Sequence, residues 1–232
     1  MPSWSIHLAL AKKINKKLKL DKDLFLLGNL IADIDYGNKL SRKQTHFYYD
    51  NPCKKCPKEN LPNPKLFLEF YKNKLNNPLI LGYYTHILTD YFYNNYVYSN
   101  CWILNENNDI VGIKLKNKRI KKVNLNNKTI KKKYKQHDLI LYGKYLFNTN
   151  QVELPNYPTN INNYLKFLQD NFYTEEDVKR RVYYLHNEFY KFNKVSIKEK
   201  LFGYKLLSKE QLDILYNECA KYILKEYEKI KK

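Results

Sequence analysis

Apolar residues recur at helical spacing over most of this chain, and that period predicts a mostly all-α protein. Over residues 4–18, His7, Ala11, Ile14 and Leu18 share one face, so the segment reads as an amphipathic helix opened by Ser3 or Ser5, with His7 turned toward the core. Residues 21–30 read as a second helix with an Asp cap, left through the turn Ala32-Asp33-Ile34-Asp35-Tyr36-Gly37. Residues 65–74 predict another helix. The next segment, from Asn77 to Phe92, is apolar on almost every side and predicts a buried helix. Asn77 is a good N-cap there, and Pro78 suits the first helical position. Further helices are expected over 134–147, from a Thr174 cap to about 192, and from a Ser208/Gln211 capping box to the lysine-rich end. Residues 51–64 hold four prolines and predict a loop.

The period changes to two between 101 and 133. Residues 110–115 and 120–125 alternate apolar and polar positions around Asn117-Lys118, the pattern of a β-hairpin. The expectation is one helical domain over 1–232 carrying a small basic β insertion at 101–133. Charge sharpens this picture. The net charge is +19, and from Val111 to His137 there are eleven Lys or Arg and no acidic residue. Such a stretch suits an anionic membrane surface or nucleic acid. It equally suits a solvated surface hairpin whose free face carries lysines. Abundant Lys, Asn, Tyr and Ile, as AT-rich coding favours, account for part of the basicity.

No apolar run reaches the length of a membrane span. The start of the chain lacks a basic secretory leader, so a cytoplasmic protein is expected. Cys53 and Cys56 form a single C-x-x-C; without a second pair it does not predict a structural zinc site, and its Pro- and Lys-rich surroundings do not suit a redox motif.

The chemistry centres on His86 and Asp90. Spacing of four places them on one stripe of the buried helix, with Gly82 one turn before. A buried carboxylate needs a partner, and a metal ion held by both side chains satisfies that need. Asp33 and His46 complete a set of two carboxylates and two imidazoles suited to zinc, and His7 adds a core-facing imidazole. His186 reads as an ordinary core or surface histidine. Neither a Gly-rich phosphate loop nor a G-x-S-x-G elbow occurs.

Four stretches carry a family likeness: Ser5-Ile6-His7 opening the first helix, Leu27-Gly28-Asn29-Leu30-Ile31-Ala32-Asp33, Thr45-His46-Phe47, and Gly82-Tyr83-Tyr84-Thr85-His86-Ile87-Leu88-Thr89-Asp90. In order and context they resemble the zinc-dependent phospholipase C family, which includes bacterial phosphatidylcholine-cleaving enzymes and clostridial alpha-toxins. The single-strand-specific zinc nucleases share its fold and metal cluster. The resemblance spans roughly residues 1–147, and the H-x-x-x-D helix is its most specific element. It implies a multi-helix bundle and one metal held by Asp33, His46, His86 and Asp90, with Asp90 bridging to another metal at His7. The family's terminal Trp ligand has no equivalent, because Trp4 offers only an amide nitrogen. Further ligands fall to His137 and Asp138, while Asn94, Asn95 and Leu141 stand where the family pattern has a histidine and an acid. One to three Zn2+ ions are therefore expected. The implied activity is phosphodiesterase-type hydrolysis of a phosphate ester, with Asp33 or Asp35 as the base for water. His137-Asp138 also resembles the metal-binding pair of the HD phosphohydrolases. Two other readings stay open: a nucleic-acid-binding protein or nuclease using the basic hairpin, and a non-catalytic member of the same family.

Overall fold

The structure is a computed structural model that describes residues 2–34, 40–124, 126–168 and 173–230. It is mostly helical, 61% helix and 8% strand, with one two-stranded and one three-stranded sheet. The helix starts follow their capping chemistry. Helix α1, Trp4–Leu18, begins after Ser3 and ends where Lys19 turns left-handed at φ 54°. Helix α2, Lys22–Ile31, is capped by the Asp21 side chain, which accepts from the Leu24 amide. A short α3, Arg42–Thr45, opens with a full capping box between Ser41 and Gln44. Asn63 caps α4, Pro64–Tyr71, which tightens into a 3-10 turn over Lys72–Lys74. Asn77 caps α5, Pro78–Asn100, with Pro78 in its first turn, as the sequence predicts.

Residues 51–64 are not a plain loop. Strands β1, Pro52–Cys53, and β2, Cys56–Asn60, pair antiparallel with Cys53 opposite Cys56. Prolines exclude a helix there but tolerate short edge pairing. Both thiols are buried; Cys53 Sγ faces Asn95 Oδ1 at 3.8 Å on α5, and burial pushes the Cys56 thiol up to about 11.

The basic insertion contains the expected hairpin and extends it by one strand to a three-stranded meander. Strand β3, Trp102–Leu104, pairs with β4, Ile110–Lys114, which pairs with β5, Ile120–Lys122. The expected turn is present: the Lys118 amide donates to Leu115 O at 2.8 Å, with Lys118 at φ 64°. Helix resumes earlier than periodicity suggests. Helix α6, Asn127–Ile130, runs through a π-helical segment, Lys131–Gln136, into α7, His137–Asn148. The π turn shifts the register of apolar positions, which hides this stretch from a 3.6-residue template. Two of the basic residues there face inward: Lys131 pairs with Glu59 at 2.8 Å, and Lys135 is buried. Helices α8, Ile161–Leu165, α9, Glu175–Asn187, α10, Phe189–Phe192, α11, Ile197–Phe202, and α12, Lys209–Ile230, complete the chain. The helix predicted from Thr174 breaks at Glu188, whose φ is −117°.

Helices α1, α2, α5 and α12 contribute to one apolar cluster that runs from Ile6 to Tyr227. Its tightest crossing is between α2 and α5. A Cβ on Gly28 or Gly82 would lie 2.9 Å from the other glycine's Cα and would run into the carbonyl of Leu79 or Phe25. The two backbones therefore touch, which brings the Asn29 carbonyl against the His86 ring.

Candidate metal centre

Five of the predicted residues meet where α1, α2, α3 and α5 come together. His7, His46, His86 and Asp90 are fully buried, and Asp33 is nearly so. Donor atoms of His7, His86 and Asp90 lie within 4.8 Å of one another, as do those of Asp33, His46 and His86. Each residue reaches this point through an identifiable local cause. The α1 periodicity turns His7 inward. The end of α2 delivers Asp33, the α3 cap fixes the backbone just before His46, and spacing of four aligns His86 with Asp90.

Hydrogen bonds settle the ring tautomers. His86 Nδ1 is 2.8 Å from Asn29 O, a pure acceptor, so Nδ1 carries the proton and Nε2 the lone pair. Arg42 Nη2 is 2.8 Å from His46 Nε2. A guanidinium only donates, so this Nε2 also carries a lone pair, and His46 Nδ1–H donates to Thr45 Oγ1 at 2.8 Å. The two lone pairs face each other across 3.2 Å. His46 Nε2 is 3.4 Å from Asp33 Oδ1 and 3.7 Å from Asp90 Oδ2, and His86 Nε2 is 3.8 Å from Asp90 Oδ2. The other Asp90 oxygen is 3.3 Å from His7 Nε2, and the His7 ring stacks on His86 with centroids 4.0 Å apart. Both Asp90 oxygens and both His7 nitrogens are buried without a hydrogen bond.

The charges follow from the same surroundings. Burial pushes the Asp90 carboxyl up, but His7, His86 and His46 more than reverse this and hold it below the ordinary carboxylate range. Asp33 is likewise held well below that range: burial opposes ionisation, while His46, His86 and Arg42 favour it. Burial lowers His86 and holds His7 at about 4. The imidazoles exert their pull when protonated, in acid. At neutral pH the centre presents two carboxylates to the neutral rings of His7 and His86.

This donor-rich, proton-poor arrangement fits a cation. Four ligands about 2.0–2.2 Å from a tetrahedral zinc ion lie about 3.3–3.6 Å apart, close to the separations of His46 Nε2 from His86, Asp33 and Asp90. Buried His and Asp groups within mutual reach could therefore hold a metal ion.

His137 and Asp138 are not brought to this point; neither belongs to a metal-capable group among the described residues. Asp138 instead accepts the backbone amides of Lys205, Leu206 and Leu207 at 2.6–2.9 Å, and His137 Nδ1 contacts it at 3.0 Å. Three amides occupy a carboxylate that the sequence offered as a ligand. Asp35 lies outside the described residues. His186 donates to Pro155 O at 3.0 Å, an ordinary satisfied histidine.

Several contributors are not legible from motif spacing. Trp4 Nε1 donates to Asp33 Oδ2 at 3.1 Å, and Arg42 Nη2 lies 3.0 Å from Asp33 Oδ1. The position of Arg42, four residues before His46 inside a capping box, is the available sequence signal. Asn94 does not face an imidazole but accepts from Lys135 Nζ at 2.9 Å, and Lys135 also donates to Tyr98 OH at 3.0 Å. Burial pushes the Lys135 ammonium down to about 8. Asp33 and Arg42 open onto a cavity of about 470 Å3 whose aromatic wall includes Trp4, Tyr184, Phe189 and Phe192. No protein-family model, curated protein or solved structure matches the chain.

Proposed function

We propose that this protein is a metal-dependent hydrolase of phosphate esters, a helical bundle of the zinc phospholipase C type, with zinc held by Asp33, His46, His86 and Asp90. One observation carries the reading: two histidine lone pairs face each other at 3.2 Å beside two buried carboxylates, and neither oxygen of Asp90 accepts a hydrogen bond. Arg42 offsets one of the two carboxylates, and a divalent ion would turn the cluster into a coordination sphere. Asp90 has a second oxygen directed at His7, which suits a bridge to a further ion. His137 and Asp138 are left out of the ligand set.

A divalent ion at this place supplies Lewis acidity: it acidifies water and neutralises charge on phosphate oxygens. The chain's own residues do the rest. Asn29 O fixes the His86 tautomer, and Thr45 fixes that of His46. Trp4 and Arg42 orient Asp33 from either side. With Trp4 on one oxygen and Arg42 beside the other, Asp33 is held in place as a ligand. The aromatic wall of the adjoining cavity receives the ester group, and Arg42 at its base meets the phosphate charge. No described helix is long and apolar enough to cross a membrane, so a lipid substrate would be met from the aqueous side.

The test is elemental analysis of untagged protein, with His86→Ala and Asp90→Ala in parallel. Wild type should carry zinc or reload with it, and both variants should lose it. Wild-type protein that takes up no zinc rejects the reading. A phosphodiesterase screen on lipid and nucleic-acid substrates then assigns the ester.

A further inference from the structure

Among the described residues, Arg42 is the cationic side chain in direct contact with two of the four proposed ligands, His46 and Asp33. Its Nη2 is 2.8 Å from His46 Nε2 and 3.0 Å from Asp33 Oδ1. The first contact has a strict consequence. An N–H donated into the His46 Nε2 lone pair and a metal ion on that lone pair exclude each other, because the ring nitrogen has only one. The Asp33 contact carries no such exclusion, since a carboxylate oxygen has lone pairs to spare.

From this geometry, and resting on the metal-centre reading above, we infer that Arg42 is the resident counter-ion of the metal-free centre. A divalent ion displaces it from His46, and it then stays tethered to Asp33 on the wall of the substrate cavity. The exchange is built into the local structure. Arg42 is the first residue of α3 and His46 its C-cap, one helical turn apart, so the side chain reaches the ring along one face. Its side chain is 45% exposed and already lines the 470 Å3 cavity, so the exchange takes place at the solvent-facing edge of the centre. The guanidinium thereby does two jobs in sequence. It compensates Asp33 while the centre is empty of metal. Once the ion is in place, the freed donors face the cavity where an anionic phosphate arrives. Arg42 is thus a positioning residue that sets metal affinity, acting through His46 and Asp33.

The test compares zinc affinity, measured by competition with a chromophoric chelator, in wild type, Arg42→Met and Lys43→Met. Each variant loses one positive charge, but Lys43 is exposed and sits over the Tyr49 ring, 4.7 Å from its centroid. Removing the competitor should tighten zinc binding by about tenfold or more in Arg42→Met, while Lys43→Met stays within about twofold of wild type. Arg42→Gln, which removes the charge at similar length, repeats the comparison should methionine not be tolerated. Arg42→Met binding zinc no tighter than wild type overturns the exchange and leaves the metal centre standing. Equal tightening in Lys43→Met also overturns it, by assigning the effect to overall charge. Wild-type protein that binds no zinc removes the metal centre itself and the exchange with it.

Discussion

Asp90→Asn separates a metal centre from a merely buried polar cluster, because it changes charge without changing shape. In the metal-free protein at neutral pH, Asp90 is an anion whose two buried oxygens accept no hydrogen bond, and it faces three imidazoles at 3.3–3.8 Å. An amide removes that charge and offers N–H donors to the lone pairs of His46 and His86. Leaving a buried polar group unsatisfied costs about 1–3 kcal/mol, so the metal-free variant should match wild type or exceed it by about 2 kcal/mol. For a chain of this length that is a rise in Tm of about 4–8 °C. Zinc should produce the opposite ranking. At free zinc about 100-fold above Kd, wild type gains about 2.7 kcal/mol, or about 5–11 °C, from binding to the folded state alone. The variant has lost a charged ligand and should gain less than about 2 °C. Thermal unfolding by circular dichroism, with chelator and then with excess zinc, reads both halves. The reasoning is refuted if metal-free Asp90→Asn melts well below wild type, or if zinc raises both melting points equally.

Three further outcomes follow from the same geometry. Gly82→Ala drives a methyl group into the Phe25 carbonyl and toward Gly28, and should cost about 3 kcal/mol or more in urea unfolding while weakening zinc binding through the Asn29–His86 bond. Stability of the chelator-treated protein should fall as pH drops from 6.5 to about 4: the unfolded chain takes up protons on its histidines while buried His7 stays neutral, a loss of about 3 kcal/mol that the lowered Asp33 and Asp90 extend below their unfolded value of 3.8. A flat profile over that window in denaturant titrations contradicts the burial argument. His137→Ala should leave zinc stoichiometry unchanged, whereas Asp138→Ala strips the acceptor from three backbone amides and should lower stability by about 2–5 kcal/mol with zinc binding intact in the folded fraction.

What the sequence revealed and what it hid divide along physical lines. Helix starts were legible where the cap is a side chain acting on its own helix, as with Asp21 and Asn77. His86 and Asp90 were legible because one regular helix fixes their spacing. Gathering His7, Asp33 and His46 around them required long-range packing, and for these the family resemblance pointed where periodicity could not. Asp138 shows the limit. Its residue type and neighbour suit a ligand, but its partners are amides nearly 70 residues later, and no local pattern announces them. The π-helical stretch Lys131–Gln136 misled in another way. A dense lysine run reads as solvated surface, yet the altered register turns Lys135 inward onto Asn94 and Tyr98. Arg42 was overlooked because a single basic residue in a chain with 42 carries no signal until its contacts are known.

The charge of the centre explains why so basic a protein would keep two carboxylates in its core. Asp33 and Asp90 are ionised, His46 and His86 bear lone pairs at the atoms that face the cluster, and Arg42 compensates Asp33 directly. A phosphate approaching through the cavity thus meets two carboxylates behind the Arg42 guanidinium, inside a molecule of formal charge +19. A divalent ion reverses the local sign. The site then joins the long-range positive field of the chain, which steers anions, and presents a cation and a freed guanidinium at the end of the path. Metal loading would in this way decide not only whether the chemistry is available but whether the substrate is admitted. The consequence is measurable: binding of inorganic phosphate should depend on zinc, and lose most of its zinc dependence when Asp90→Asn prevents loading.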